Sequence, residues 1–224
     1  MVFGATFWAL CAMGALAAAA YGLFFVGRPP SLIGAAVKTA FMAALTAAFA
    51  NAGAHPLLVA ALAASAFGDL FLAYDKNWLV PFGILAFLFA QLVYFLIFMG
   101  LWFAAPDGAP LWPRYAAMAL IVATSLGFLI WMAPKLGWMA VGVVPYSIAI
   151  TAMACMAMWL PWGGWPAMLG AVSFLVSDFV LAVELFRLPA DAPVRRITAA
   201  EVWWSYAAAQ ALIVTGIVLA RPVS

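Results

Sequence analysis

Two carboxylates stand where carboxylates are costly. The stretch "SAFGDLFLAYDK" (65–76) carries Asp69 in an almost wholly apolar run, and "SFLVSDFVLAVELFR" (173–187) carries Asp178 in the same setting. A charge in hydrocarbon costs roughly 3 kcal/mol by insertion scales and more by simulation. Aspartates that survive there act as acid–base groups, relay protons or complete a buried ion pair. Lys38, Gln91, Tyr94, Tyr146, Tyr206 and Gln210 lie in comparably apolar surroundings. The elements that hold these side chains decide which chemistry is open to them.

The 224 residues are 70% hydrophobic and 7% charged, with a mean hydropathy of +1.18. Long apolar runs with few charges read as transmembrane helices. A closed β-barrel needs alternating apolar and polar residues. Runs such as "AALTAAFA" and "VAALAASAF" do not alternate, so helices are favoured. Breaks at "GRPPS", "NAGAHP", "DKN", "APDGAPLWP", "APKLG", "LPWGGWP" and "LPADAPVRRIT" predict eight spans, at 3–26, 31–50, 56–75, 78–103, 112–132, 137–159, 163–187 and 200–220. The fold class is therefore an all-α membrane protein, one bundle of eight transmembrane helices. The short breaks make neighbours antiparallel and leave residues 1–224 as a single domain.

A net charge of +2 offers no basic patch for nucleic acid. Cys11 and Cys155 fall inside apolar runs and read as small packing residues. The lone histidine, His55, and the absence of CxxC argue against a zinc site. Trp78, Trp102, Trp112, Trp138, Trp159, Trp162 and Trp203 near span ends read as interfacial anchors. The N-terminal apolar run lacks the basic start of a signal peptide and is read as the first span.

Loop charges set the orientation. Arg28, Lys76, Lys135, Arg187, Arg195 and Arg196 fall on one side, Arg114 and Arg221 on the other. The positive-inside rule puts the first group in the cytoplasm and both termini outside. A bacterial inner membrane is the expected location. With Asp75 taken as the inner end of the third span, Asp69 lies roughly 9 Å deep at 1.5 Å per residue. Asp178 lies roughly 13 Å deep and Lys38 roughly 10 Å. Tyr146 and Tyr206 fall at similar depth, Gln91 and Gln210 somewhat deeper. One slab of the inner half thus gathers the polar groups. Either they line a shared interior chamber, or Lys38 pairs with an aspartate and the amides and phenols lock helices together. Glu184 is turned about 120° from Asp178 and is expected to snorkel to the interface.

An internal echo links the halves. "GDLFLA" (68–73) and "SDFVLA" (177–182) share small-Asp-x-x-Leu-Ala, and each following span carries Ala-Gln, at Gln91 and Gln210. A four-plus-four parallel pseudo-repeat and chance similarity in Leu/Ala-rich helices both fit this.

Lys38 early in its span, "SAFGDLFLA", "GILAFLFAQLVYFLIF", "GAVSFLVSDFVLAVELF" and "WSYAAAQALIV" together resemble the YhhN-type lysoplasmalogenase family of integral membrane proteins, over most of the chain. The resemblance implies an eight-helix hydrolase that cleaves the vinyl ether of lysoplasmalogens to a fatty aldehyde and a glycerophospho-alcohol. It implies Asp69 and Asp178 as the catalytic pair. One departure is that family members usually carry His where this chain has Gln91.

The residues suit that chemistry on their own terms. Vinyl ethers resist bases and yield to acids, by protonation at the β-carbon, water addition at the α-carbon and collapse of the hemiacetal. One carboxylic acid and one carboxylate suffice, with no metal or organic cofactor. The substrate would be a lysophospholipid, with membrane lipids as surroundings. Lys38, with Arg28 or Arg195, would attract the phosphate, or Lys38 would pair with one aspartate and make it the base. Gln91, Tyr94, Tyr146, Tyr206 and Gln210 would bind the substrate, orienting glycerol or water. A proton-coupled lipid transporter or flippase would use the same carboxylates. An intramembrane aspartyl protease ranks lower, because "AFGD" breaks the GxGD pattern at Ala66.

Overall fold

A computed structural model describes residues 1–74, 76–104, 111–189 and 191–221. Asp75, the expected inner end of the third span, lies outside them, as do 105–110 of the connection after the fourth. Among the described residues every regular element is helical: α1 (Ala5–Phe24), α2 (Leu32–Asn51), α3 (Pro56–Leu72), α4 (Val80–Ala104), α5 (Leu111–Leu136), α6 (Ala140–Ala157), α7 (Trp165–Phe186) and α8 (Arg195–Leu219).

The helix boundaries fall close to the apolar runs, because a break needs a residue that cannot continue a helix. Ser31 caps α2 by accepting from the Gly34 amide at 3.0 Å, and His55 caps α3 ahead of Pro56 at its first turn. The largest departure is α8, which begins at Arg195 rather than at 200. Among the described residues six continuous helical runs are long and apolar enough to cross a membrane, and α3 falls short at 17 residues. One of the six is Leu111–Ala157, 47 residues, or roughly 70 Å of helix against a hydrocarbon core of about 30 Å. It does not run straight. Gly137 takes a φ of +53°, a left-handed conformation that ends α5. Tyr115 near the start of α5 then meets Trp159 just past the end of α6, ring centroids 5.6 Å apart, so α5 and α6 form an antiparallel hairpin. The eight separate spans expected from the sequence are thus recovered in part, as six runs of crossing length and a shorter α3.

Internal contacts divide the chain into two compact units, Met1–Tyr94 and Phe95–Ser224. The boundary falls inside α4, not in the connection after it, so the units do not reproduce a four-plus-four division. In the first unit α1 packs on α2 and α2 on α3, around Phe41, Met42, Leu45, Phe49, Leu58 and Leu62. Phe7 meets Phe49 edge to face at 5.4 Å. α4 comes close to α3 at Gly68, where a Cβ would lie 2.5 Å from the Phe87 ring. In the second unit α7 and α8 make the closest pair. A Cβ on Gly216 would sit 2.2 Å from the Ala167 amide nitrogen, a small-residue approach typical of helices that associate without a hydrophobic driving force. Ser173 and Ser177 donate across the same interface to the Ser205 and Val202 carbonyls, at 2.8 and 2.9 Å.

Large apolar side chains also point outward, among them Trp8, Leu16, Leu23, Leu85, Ile130 and Val141. Such a surface suits a lipid surrounding.

Candidate active site

Asp69 lies on the buried stripe of α3. Leu58, Leu62, Ser65 and Asp69 recur at three- and four-residue spacing, and all are buried. Lys38 continues the equivalent stripe of α2 one turn before Phe41 and Met42. The two helices form a hairpin, and Lys38 stands thirteen residues before the end of α2, as Asp69 stands thirteen beyond the start of α3. Equal distances from the turn bring them level, roughly 20 Å from it. Lys38 Nζ lies 4.0 Å from Asp69 Oδ1, with side-chain exposures of 16% and 3%. The pairing alternative for Lys38 is therefore realised in the geometry.

Tyr21 of α1 joins this group. Its ring centroid lies 5.9 Å from Lys38 Nζ, a cation–π contact, and it sits within the field of the Asp69 charge. The sequence held a signal for it, since Tyr21 precedes the first loop by about as much as Lys38 follows it. Tyr94 is fully buried, and a hydrogen bond links its side chain to Ser65. Ser65 in turn donates to the Ala61 carbonyl at 3.0 Å. Gln91, one turn before Tyr94 on α4, is fully buried, and neither its amide oxygen nor its amide nitrogen has a hydrogen-bond partner among the described residues.

The second unit repeats the theme with a neutral partner. Asp178 on α7 is half-buried, and its Oδ2 accepts a hydrogen bond from the Tyr146 hydroxyl of α6. Lysine on the helix before α3 and tyrosine on the helix before α7 thus occupy similar relations to their aspartates. Tyr206 of α8 is buried edge-on against Phe174 at 5.4 Å, and Gln210 on the same face is fully buried.

Glu184 departs from its expected place at the interface. It is 9% exposed and accepts a hydrogen bond from the Thr198 hydroxyl at 2.6 Å, while Arg195 donates to its backbone carbonyl at 2.6 Å. The early start of α8 supplies that cover. Arg187 stacks over Trp131, 3.7 Å from the ring centroid, and donates to the Trp131 carbonyl. Arg195 is thus engaged with the α7–α8 connection rather than held ready for a phosphate. Among the described residues no group of three or more His, Cys, Asp or Glu could hold a metal ion.

The model of the YhhN family matches residues 33–217. Lysoplasmalogenases of Mycobacterium bovis and Mycobacterium tuberculosis are each 37% identical to this chain, across 84% of it and 73% of their own length. No solved structure matches.

Proposed function

The chain belongs to the YhhN family, an integral membrane protein and a lysoplasmalogenase-type hydrolase, and on that premise we propose that Asp69 and Asp178 cleave the vinyl ether of lysoplasmalogens as an acid–base pair. The observation that carries this reading is the contrast between their partners. Asp69 faces a lysine ammonium, and Asp178 faces a phenol hydroxyl. A cation holds a carboxylate charged, while a hydroxyl can donate to either form of its neighbour. Asp69 is assigned as the base and Asp178 as the acid.

The Asp178 proton goes to the β-carbon, and the electron pair of the ether oxygen stabilises the resulting cation at the α-carbon. The Asp69 carboxylate faces that charge and takes a proton from the water that adds there. The hemiacetal hydroxyl then returns a proton to Asp178. Asp69 gives its own proton to the departing glycerol oxygen as the α-carbon–oxygen bond breaks. A fatty aldehyde and a glycerophospho-alcohol leave, and both aspartates are restored. Lys38 keeps Asp69 charged. Gln91, Tyr94, Tyr146, Tyr206 and Gln210 bind the polar end of the substrate.

The same reading takes the chain as one domain in the bacterial inner membrane with eight crossings, α5 and α6 supplying one each and α3 completing a short crossing. Both termini lie outside. The lysine-to-aspartate and tyrosine-to-aspartate hairpins support a distant parallel repeat. The deciding experiment gives purified protein a lysoplasmalogen and its saturated alkyl-ether analogue. Aldehyde from the first alone establishes vinyl-ether hydrolysis. Movement of intact lipid across liposomes without aldehyde establishes a transporter instead.

A further inference from the structure

Gln91 presents an arrangement that the acid–base pair does not require. A fully buried amide whose oxygen and nitrogen both lack partners among the described residues is costly, because each group has left water without compensation. Its neighbours locate it. Phe87, one turn before Gln91 on α4, packs where a Cβ of Gly68 would be, and Tyr94, one turn after, bonds to Ser65. Gln91 therefore lies level with the Ser65–Asp69 turn of α3, which carries the Lys38-paired carboxylate.

The chemistry of the two idle atoms narrows the ligand. Nε2 donates and Oε1 accepts, so the matching group must accept and donate in turn. A phosphate or an ether oxygen only accepts, an ammonium only donates, and an acyl chain does neither. A hydroxyl does both. Water does too, but a buried water needs two to four partners of its own, whereas a ligand hydroxyl is held by the rest of its molecule. A lysolipid has one free hydroxyl on the glycerol carbon next to the ether-bearing carbon, so its seat must adjoin the reacting bond. The level of Asp69 meets that condition.

We propose that the Gln91 amide seats the free sn-2 hydroxyl of the lysolipid, and so distinguishes a single-chain substrate from one acylated at that position. The inference rests on the substrate reading above and is tested without the reaction. Two uncleavable ligands are compared in detergent, a saturated 1-alkyl lysolipid and its 2-deoxy analogue with the same headgroup. The unsubstituted protein should bind the hydroxyl ligand about tenfold more tightly. Gln91→Met should bring the two within about twofold by weakening the hydroxyl ligand alone. Without ligand, Gln91→Met should melt no lower than the parent, because it replaces an uncompensated polar group by an apolar one of similar volume.

Equal affinities in the parent point to a buried water on the amide and overturn the proposal. So does a preference that survives Gln91→Met, which places hydroxyl recognition elsewhere. A marked loss of melting temperature with equal weakening of both ligands makes Gln91 structural and also overturns it. Preference for the hydroxyl ligand that Gln91→Met abolishes, in a protein that releases no aldehyde, supports the seat and refutes only the reaction. Failure to bind either ligand refutes both.

Discussion

Replacing Lys38 by Met tests whether charge on Asp69 depends on its neighbour. At the observed 4.0 Å, two unit charges attract by about 4 kcal/mol at an effective dielectric of 20. Lys38 is 16% exposed along its side chain, so solvent screens part of this, and a realised value of about 3 kcal/mol is a fair expectation for a mostly buried pair. Without the ammonium, Asp69 either remains charged and uncompensated or takes up a proton. The first outcome lowers stability, and the second removes the base. Loss of about 3 kcal/mol of stabilisation of the charged form caps the fall in turnover at about a hundredfold. The assay is aldehyde release by purified protein, with thermal unfolding followed in the same detergent. The double variant Lys38→Met/Asp69→Asn should regain stability relative to Lys38→Met alone while remaining inactive, since it no longer buries a lone charge. Turnover of Lys38→Met within twofold of the parent, or no recovery of stability in the double variant, would refute the idea that this ion pair sets the state of Asp69.

Asp69→Asn and Asp178→Asn should each abolish aldehyde release while the protein still elutes as a folded species, and residual turnover in either removes that residue from the mechanism. Tyr146→Phe deletes the hydroxyl that donates to Asp178 and should cost about 1.5–3 kcal/mol in the barrier, roughly tenfold or more in kcat, with little change in melting temperature. Thr198→Val leaves the buried Glu184 without its 2.6 Å donor and should lower stability by about 1–3 kcal/mol, with kcat per folded molecule unchanged. Gly216→Val sets a Cβ against the Ala167 backbone, which cannot yield as a side chain can. Loss of at least 1–3 kcal/mol should show as poor yield of folded protein.

Much of the site is legible in the sequence because membranes make polar residues expensive. Asp69, Asp178 and Lys38 stand out from their apolar surroundings by residue type alone. Ser65, which bonds to Tyr94, and Thr198, which donates to Glu184, are ordinary residues for a helix, and only packing reveals what they touch. The expectation for Glu184 fails for a related reason: its burial follows from the start of α8 at Arg195, which the charged "VRRIT" segment disguises as loop. Hydropathy is a poor guide to helix faces here. Lipid tails are as apolar as leucine, so an inward and an outward face can have the same composition. Outward Leu85 and buried Phe98 on the same helix illustrate it.

Read alone, the sequence established that the chain is helical, where its helices begin and end to within a few residues, and that Lys38, Asp69 and Asp178 stand inside apolar runs. Those properties follow from chain length against bilayer thickness and from the cost of desolvating charge, both of which are local. Only the packing of the helices shows that Lys38 answers Asp69, that Tyr146 answers Asp178, and that the Gln91 amide has no partner among the described residues. These depend on how far along each hairpin a side chain stands and which way its helix is turned, and composition does not encode either one.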